Sequence, residues 1–375
     1  MINEQLDVTG ITSEGKLIST SLEISDGTGT WQPWTEVQMA GEVNTESLNS
    51  IDSAIDGFVT HLCVTTIDGR LLYTTRNDTD TAWAPFQDVQ TIIGGDWGKF
   101  QQVSIEPAAE ELHLCALVFT ADTLPHILHT ILHQNGNWDQ FQDITQDGLA
   151  GSPGSFVAID CATGTTAKQI LHVCAITNDG GLWHTSLWDQ NQWSKFEDVK
   201  ALSTNNPGAF TDVRIASTSD KLHVCAALAG DLWHTIQFTD PTIHWQDAFD
   251  NIKEVASDPG SIFSIDCATE DVKLHVCVVT EDGQLWQTMR FEDPDGWVPF
   301  DNVTAIIGDA SIFLQILSVI GQIVTFILFD HCPPDVRQRI TTNCYRIGRR
   351  DPNSGALRAN NQTLHAQNPA CSMPC

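Results

Sequence analysis

Asp179-Gly180-Gly181-Leu182-Trp183-His184-Thr185, followed by Trp193-Ser194-Lys195-Phe196-Glu197-Asp198-Val199, is the stretch that decides the fold. Its Asp-Gly pair is a strong short-range hairpin signal, and the residues after it alternate as a strand does. Both phrases recur. The first returns as Asp231-Leu232-Trp233-His234-Thr235, as Gln284-Leu285-Trp286-Gln287-Thr288 and more weakly as Leu71-Leu72-Tyr73-Thr74. The second returns as Trp83-Ala84-Pro85-Phe86-Gln87-Asp88-Val89, at Trp138 to Ile144 and as Trp297-Val298-Pro299-Phe300-Asp301-Asn302-Val303. The Trp that opens it stands at 31, 83, 138, 193, 245 and 297, at separations of 52, 55, 55, 52 and 52 residues. Such a period marks a tandem array of one supersecondary unit.

Two further segments complete the unit. Leu171-His172-Val173-Cys174-Ala175 precedes the turn and is matched by Leu112 to Ala116, Leu222 to Ala226, Leu274 to Val278 and His61 to Val64. Before it lies an apolar opening segment, Gly154 to Cys161 in one unit and Gly260 to Cys267 in another. Four short segments rich in β-branched and aromatic residues, joined by Gly, Asp and Asn turns, make a four-stranded antiparallel blade. Its inner segments are apolar on both faces, as expected of sheets sandwiched between neighbouring sheets. No segment holds a sustained 3.6-residue period, so a helical solenoid is excluded. The chain therefore reads as all-β, a β-propeller over residues 1–330.

The first unit begins at the counterpart of the second strand, Leu6-Asp7-Val8-Thr9-Gly10, without an opening strand. Ala310 to Ile316 repeats the opening strand of the preceding unit and can complete the first blade, which gives six blades and ties the chain ends together. Gly321 to Phe329 also resembles Gly283 to Phe291, which keeps seven blades as the alternative. Residues 331–375 differ in kind, with six Arg, no Lys, two acidic residues and four Cys. They read as an irregular tail, either a basic strap for the acidic propeller or the product of an altered reading frame, and the spacing of Cys332, Cys344, Cys371 and Cys375 is not that of a zinc site.

The formal charge of −30, from 48 acidic against 18 basic residues, repels phosphate backbones and anionic membranes and excludes nucleic acid as a partner. No apolar run reaches the roughly 20 residues of a membrane helix, so no membrane insertion is expected. The amino terminus lacks the basic and apolar stretches of a secretory signal, which makes a cytoplasmic location the default, with release by a non-classical route as the alternative. The sequence sets no oligomeric state. Cys63, Cys115, Cys174, Cys225 and Cys277 share one second-strand position and read as buried, reduced side chains, while Cys161 with Cys174 and Cys267 with Cys277 lie on neighbouring strands where a bridge inside a blade can be drawn. Histidines 61, 113, 172, 223 and 275 and 129, 184 and 234 recur once per unit, a pattern that fits a repeated structural hydrogen bond better than a converging metal site. No metal or other cofactor is called for.

Catalytic signatures are absent: there is no Gly-x-Ser-x-Gly elbow, His-Glu-x-x-His, phosphate loop or dinucleotide fingerprint. Ser25 to Trp31 looks like a sialidase box but has the wrong spacing, and a paired-carboxylate glycosidase stays open only because its acids come from distant segments. The chain reads as a binding module rather than an enzyme. Its repeated Asp-Gly-x-Leu-Trp-His-Thr and Trp-x-x-Phe-x-Asp-Val phrases resemble those of bacterial tectonin-like and fucose-binding propeller lectins over roughly residues 5 to 330. That resemblance implies several similar sugar pockets between blades. The candidate contacts are Trp183 with His184, Trp233 with His234, and Trp286 with Gln287, each offering a flat apolar surface beside a polar group. Glycans are the expected partner, and a protein held on the ring surface is the alternative.

Overall fold

The computed structural model describes residues 2–12, 17–25, 28–36, 48–77, 83–108, 111–120, 124–146, 148–164, 169–189, 192–239, 242–270, 272–292, 295–308, 313–324, 347–350 and 357–359. The chain divides into two compact units, Glu4–Gly321 and Met1–Asn3 with Gln322–Cys375. The larger is a ring of six antiparallel blades. Blade 2 runs Leu48–Asp56, Val59–Thr66, Leu71–Asn77 and Gln87–Asp88 from the inside outward. Blades 3 to 6 repeat this order, with inner strands Lys99–Ala108, Phe156–Thr163, Asp212–Ser217 and Ile262–Glu270.

Blade 1 is assembled from both ends of the chain: Phe313–Val324 is its inner strand and pairs with Ile2–Thr12, followed by Leu17–Ser25 and Thr28–Trp31. Six blades close the ring, and the strand that continues through Gly321 leaves no seventh unit beginning there. Ala310 to Ile312 and Thr325 to Phe329 lie outside the described residues, as does most of the tail. Within the smaller unit, Ile347–Arg350 pairs antiparallel with Leu357–Ala359.

The core is distributed over the seams. Each of six buried clusters joins residues of two adjacent blades: Leu17 with Leu62 and Val64 between blades 1 and 2, for example, and Leu6 and Val8 with Val279 and Leu285 between blades 6 and 1. Second strands are buried on both faces because a neighbouring blade covers each, as the fully buried run Leu171 to Ala175 shows. The hairpin turns need glycine. Gly180 has φ +77°, and a Cβ there would lie 2.3 Å from Ala209 Cα of the next blade. Short helices absent from the sequence reading, Val89–Ile93, Ile252–Val255 and Val303–Ile307, follow the closing phrase, capped by Asp88, Asn251 and Asn302.

The seven cysteines among the described residues are free and buried. The drawn bridge inside a blade does not form, because Cys174 lies opposite Asp160 while Cys161 lies opposite Val173, one residue out of step and therefore on the other face. Cys277 likewise lies opposite Asp266. Mass spectrometry of the non-reduced protein should find no bridge between any two of Cys63, Cys115, Cys174, Cys225 and Cys277, and reductant should leave the melting temperature unchanged. Closure can be checked by truncation after Gly308, which removes the inner strand of blade 1 and leaves Ile2–Thr12 as an open edge. The melting temperature should fall by roughly 10 °C or more; an unchanged one would refute the closure.

Candidate functional site

The seams repeat one arrangement. A second-strand histidine bonds to a third-strand side chain, and the closing Trp of the next blade packs its ring against that third-strand side chain. Between blades 4 and 5, His172 Nδ1 and His184 Nε2 share a hydrogen bond of 2.9 Å, and the Trp245 ring meets His184 edge-on at 5.3 Å. Between blades 3 and 4 the members are His113, His129 and Trp193, and between blades 5 and 6 His223, His234 and Trp297. Tyr73 replaces the third-strand histidine in blade 2, bonded to His61 and met by Trp138, and Gln287 replaces it in blade 6, bonded to His275.

The seam between blades 4 and 5 carries the most developed polar site. One oxygen of Glu197, on the outer strand of blade 4, accepts from His184 Nδ1 at 2.8 Å, from Trp245 Nε1 at 2.9 Å and from Gln237 Nε2 at 3.2 Å. The glutamate side chain is nevertheless 41% exposed. Burial opposes its ionisation, but the hydrogen bonds donated by His184 and Trp245 outweigh this and hold its carboxyl below the ordinary value. With His184 donating through Nδ1, its Nε2 is the acceptor, so His172 donates and both bonds are satisfied. The result is an ionised carboxylate, fixed by three donors, one of them an indole N–H, and open to solvent on its remaining side. Equivalent outer-strand positions differ: Gln142 accepts from Trp193 Nε1 at 3.0 Å, and Asp250 accepts from Gln246 at 3.0 Å with His234 Nδ1 4.0 Å away.

The structure re-sorts the residues picked out from the sequence. Neighbours on a strand face opposite sides, so Trp233 and His234 enter different seams. Trp233 packs on the cluster between blades 4 and 5, the seam of His184, and Trp286 on the cluster between blades 5 and 6, the seam of His234. All three third-strand Trp are half-buried. Trp183 donates its indole N–H to Thr177 Oγ1 at 3.2 Å, whereas the indole nitrogens of Trp233 and Trp286 are buried with no partner among the described residues. His184, His234 and Gln287 are buried. Glu197, Gln142 and the closing Trp as site members were missed, because their partners across the seam are 40 or more residues away in sequence. Trp83 and Trp245 are buried, whereas Trp138, Trp193 and Trp297 are only half-buried. Among the described residues no group of His, Cys, Asp and Glu is arranged to hold a metal ion.

Burial pushes His129 down to about 3 and His113 down to about 4. The unfolded chain takes up these protons first, near pH 6.5, so stability is complete above about pH 7 and is lost as the pH falls toward 4. For one such histidine the loss between pH 7.5 and pH 5 is about 2 kcal/mol. Urea titrations at the two pH values should show a smaller difference in His129→Gln than in the parent, glutamine being the residue blade 6 already uses. An unchanged difference would mean that the pair is charged in the fold.

No protein-family model and no curated protein sequence matches the chain. Solved structures do. The fucose-specific lectin from Aleuria aurantia superposes with a TM-score of 0.55 at 14% identity, covering 80% of this chain and 90% of its own. A triple arginine-to-alanine mutant of AofleA from Arthrobotrys oligospora gives 0.52 at 11% identity, covering 87% and 94%. The BP39L lectin from Burkholderia pseudomallei gives 0.51 at 15% identity, covering 80% and 81%. At these identities the likeness is one of fold.

Proposed function

We propose that the ring is a multivalent carbohydrate-binding module with its sites in the seams between blades. The observation that carries this reading is the Glu197 carboxylate, ionised, fixed by His184, Gln237 and Trp245, and still open to solvent. Sugar hydroxyls are donors that such a carboxylate accepts, and the C–H face of a pyranose packs on an indole. Trp183, Trp233 and Trp286 supply aromatic surfaces, Trp233 in the seam where His184 is the buried polar support and Trp286 in the seam of His234, while Gln287 supports the seam beyond. The fold shared with a fucose-specific lectin adds weight. Several weak sites on one rigid ring gain roughly 10² to 10⁴ in avidity on a surface bearing many copies of a glycan.

A second reading, a platform for a protein partner, has its own observation. Ile92, Leu202, Val255 and Ile306 occupy the same repeat position after the closing phrase and all stand 50% or more exposed. Unburied apolar side chains repeated around one end of a ring are a docking feature.

A glycan array decides between the two. The parent protein should bind a defined set of glycans, and Glu197→Gln should weaken that binding at least tenfold with an unchanged melting temperature. Trp233→Ala should also lose binding, whereas a purely packing role predicts several kcal/mol of lost stability with binding retained. An array blank at high protein concentration would end the carbohydrate reading in favour of the platform.

A further inference from the structure

We propose a second kind of site, at the axial opening of the ring on the end that bears the second-to-third-strand hairpins, which takes one polyhydroxylated ligand of pyranose size per chain. It is separate from the seams and rests on different residues. The inner strands of four blades each carry a β-bulge at the same place near their start. The register with the second strand skips Asn49 in blade 2, Gln101 in blade 3, Val157 in blade 4 and Phe263 in blade 6. A bulge breaks the ladder and redirects the extra side chain. All four skipped residues line one cavity of about 420 Å³, within the range of small-ligand sites.

The four residues have no common packing role. Val157 and Phe263 are 48% and 57% exposed on inner strands that are otherwise largely buried, so nothing among the described residues covers them. Between them, blade 5 presents Asp212, whose Oδ1 takes Arg214 Nη1 and its own following N–H, both at 2.9 Å. Opposite stand the amides of Asn49 and Gln101, the former donating to the Gln101 carbonyl. An apolar arc facing an amide arc, with a carboxylate and guanidinium side by side in the wall, matches a ligand with one C–H face and several hydroxyls. An anion is disfavoured because Arg214 is shared between Asp212 and Asp266, and the chain carries a charge of −30. Unlike the repeated seams, the five described walls are non-identical and offer one orientation to one ligand.

The test uses isothermal titration of the full chain with the methyl glycosides of fucose, galactose, mannose and N-acetylglucosamine, in Glu197→Gln, in Phe263→Ala and in the double variant. At least one glycoside should bind Glu197→Gln, and adding Phe263→Ala should weaken that binding tenfold or more at an unchanged melting temperature, as should Asp212→Asn. Phe263→Ala alone should leave the binding that depends on Glu197 intact, which separates failure of this site from failure of the seams. If Phe263→Ala changes no isotherm in the Glu197→Gln background, or if Glu197→Gln binds none of the four glycosides, the axial site is wrong.

Discussion

Each inner strand has an edge with nothing beside it in its own blade, and the whole ring depends on how that edge is satisfied. Backbone N–H and C=O groups at the axis cannot continue a ladder, because successive blades diverge radially, and leaving them unpaired in a buried place costs free energy comparable to a lost hydrogen bond. Side chains of the adjacent blade take the place of the missing strand. Asp52 accepts from the Ile105 N–H at 2.7 Å, Asp160 from the Ile215 N–H at 2.6 Å, and Gln102 both donates to and accepts from Ile159 at 3.0 Å. Glu106 accepts from the Thr163 N–H at 3.2 Å. Every bond crosses a seam from one blade to the next, so this polar lacing aligns the blades along the axis as the apolar clusters press them together.

Lacing with carboxylates gathers like charge at the axis. Burial, then the charges of Asp160 and Asp266, pushes the Asp52 carboxyl well up, and burial raises Asp160 to about 6 and Glu106 to about 7. Arg214 offsets this. Burial opposes its charge, but Asp212, Asp160 and Asp266 outweigh that and keep the guanidinium protonated. One arginine among these acids is a specific solution: it occupies the inner-strand position where blades 2, 4 and 6 carry aspartate, as its place opposite Cys225 shows.

The blade count was legible because a propeller writes its period into the chain, and the strand order because turn residues and apolar segments recur at fixed offsets. Closure was legible from an absence, the missing opening strand of the first unit. What stayed hidden lies between blades. Trp193 meets His129, and Glu197 meets Trp245, across about a turn of the repeat, and no local pattern encodes a partner some 50 residues away. A Trp-His dipeptide looks like one site in sequence and becomes two in space because a strand sends successive side chains to opposite seams. The bulges left no mark, since one skipped residue does not stand out in strands of mixed polarity such as Leu48–Asp56 and Lys99–Ala108. The short helices did leave one, the Asp or Asn before Val or Ile, but four or five residues are too few for a helical period.

A repeat fold holds some positions to a narrow choice and frees others, and the freed ones are where the blades diverge. The second-strand Cys and the buried Val or Ile after the cap each fill the same seam volume in blade after blade, so packing dictates them. Outer-strand positions opposite the third-strand seam residue read Gln87, Gln142, Glu197, Asp250 and Asp301, and the bulge positions read Asn49, Gln101, Val157 and Phe263. None of these is needed to fill a core, and each stands where a seam or the axis opens to solvent. Chemistry that varies on a frame that does not makes the seams unequal, with the Glu197 seam the one in which charge, donors and an aromatic surface all meet.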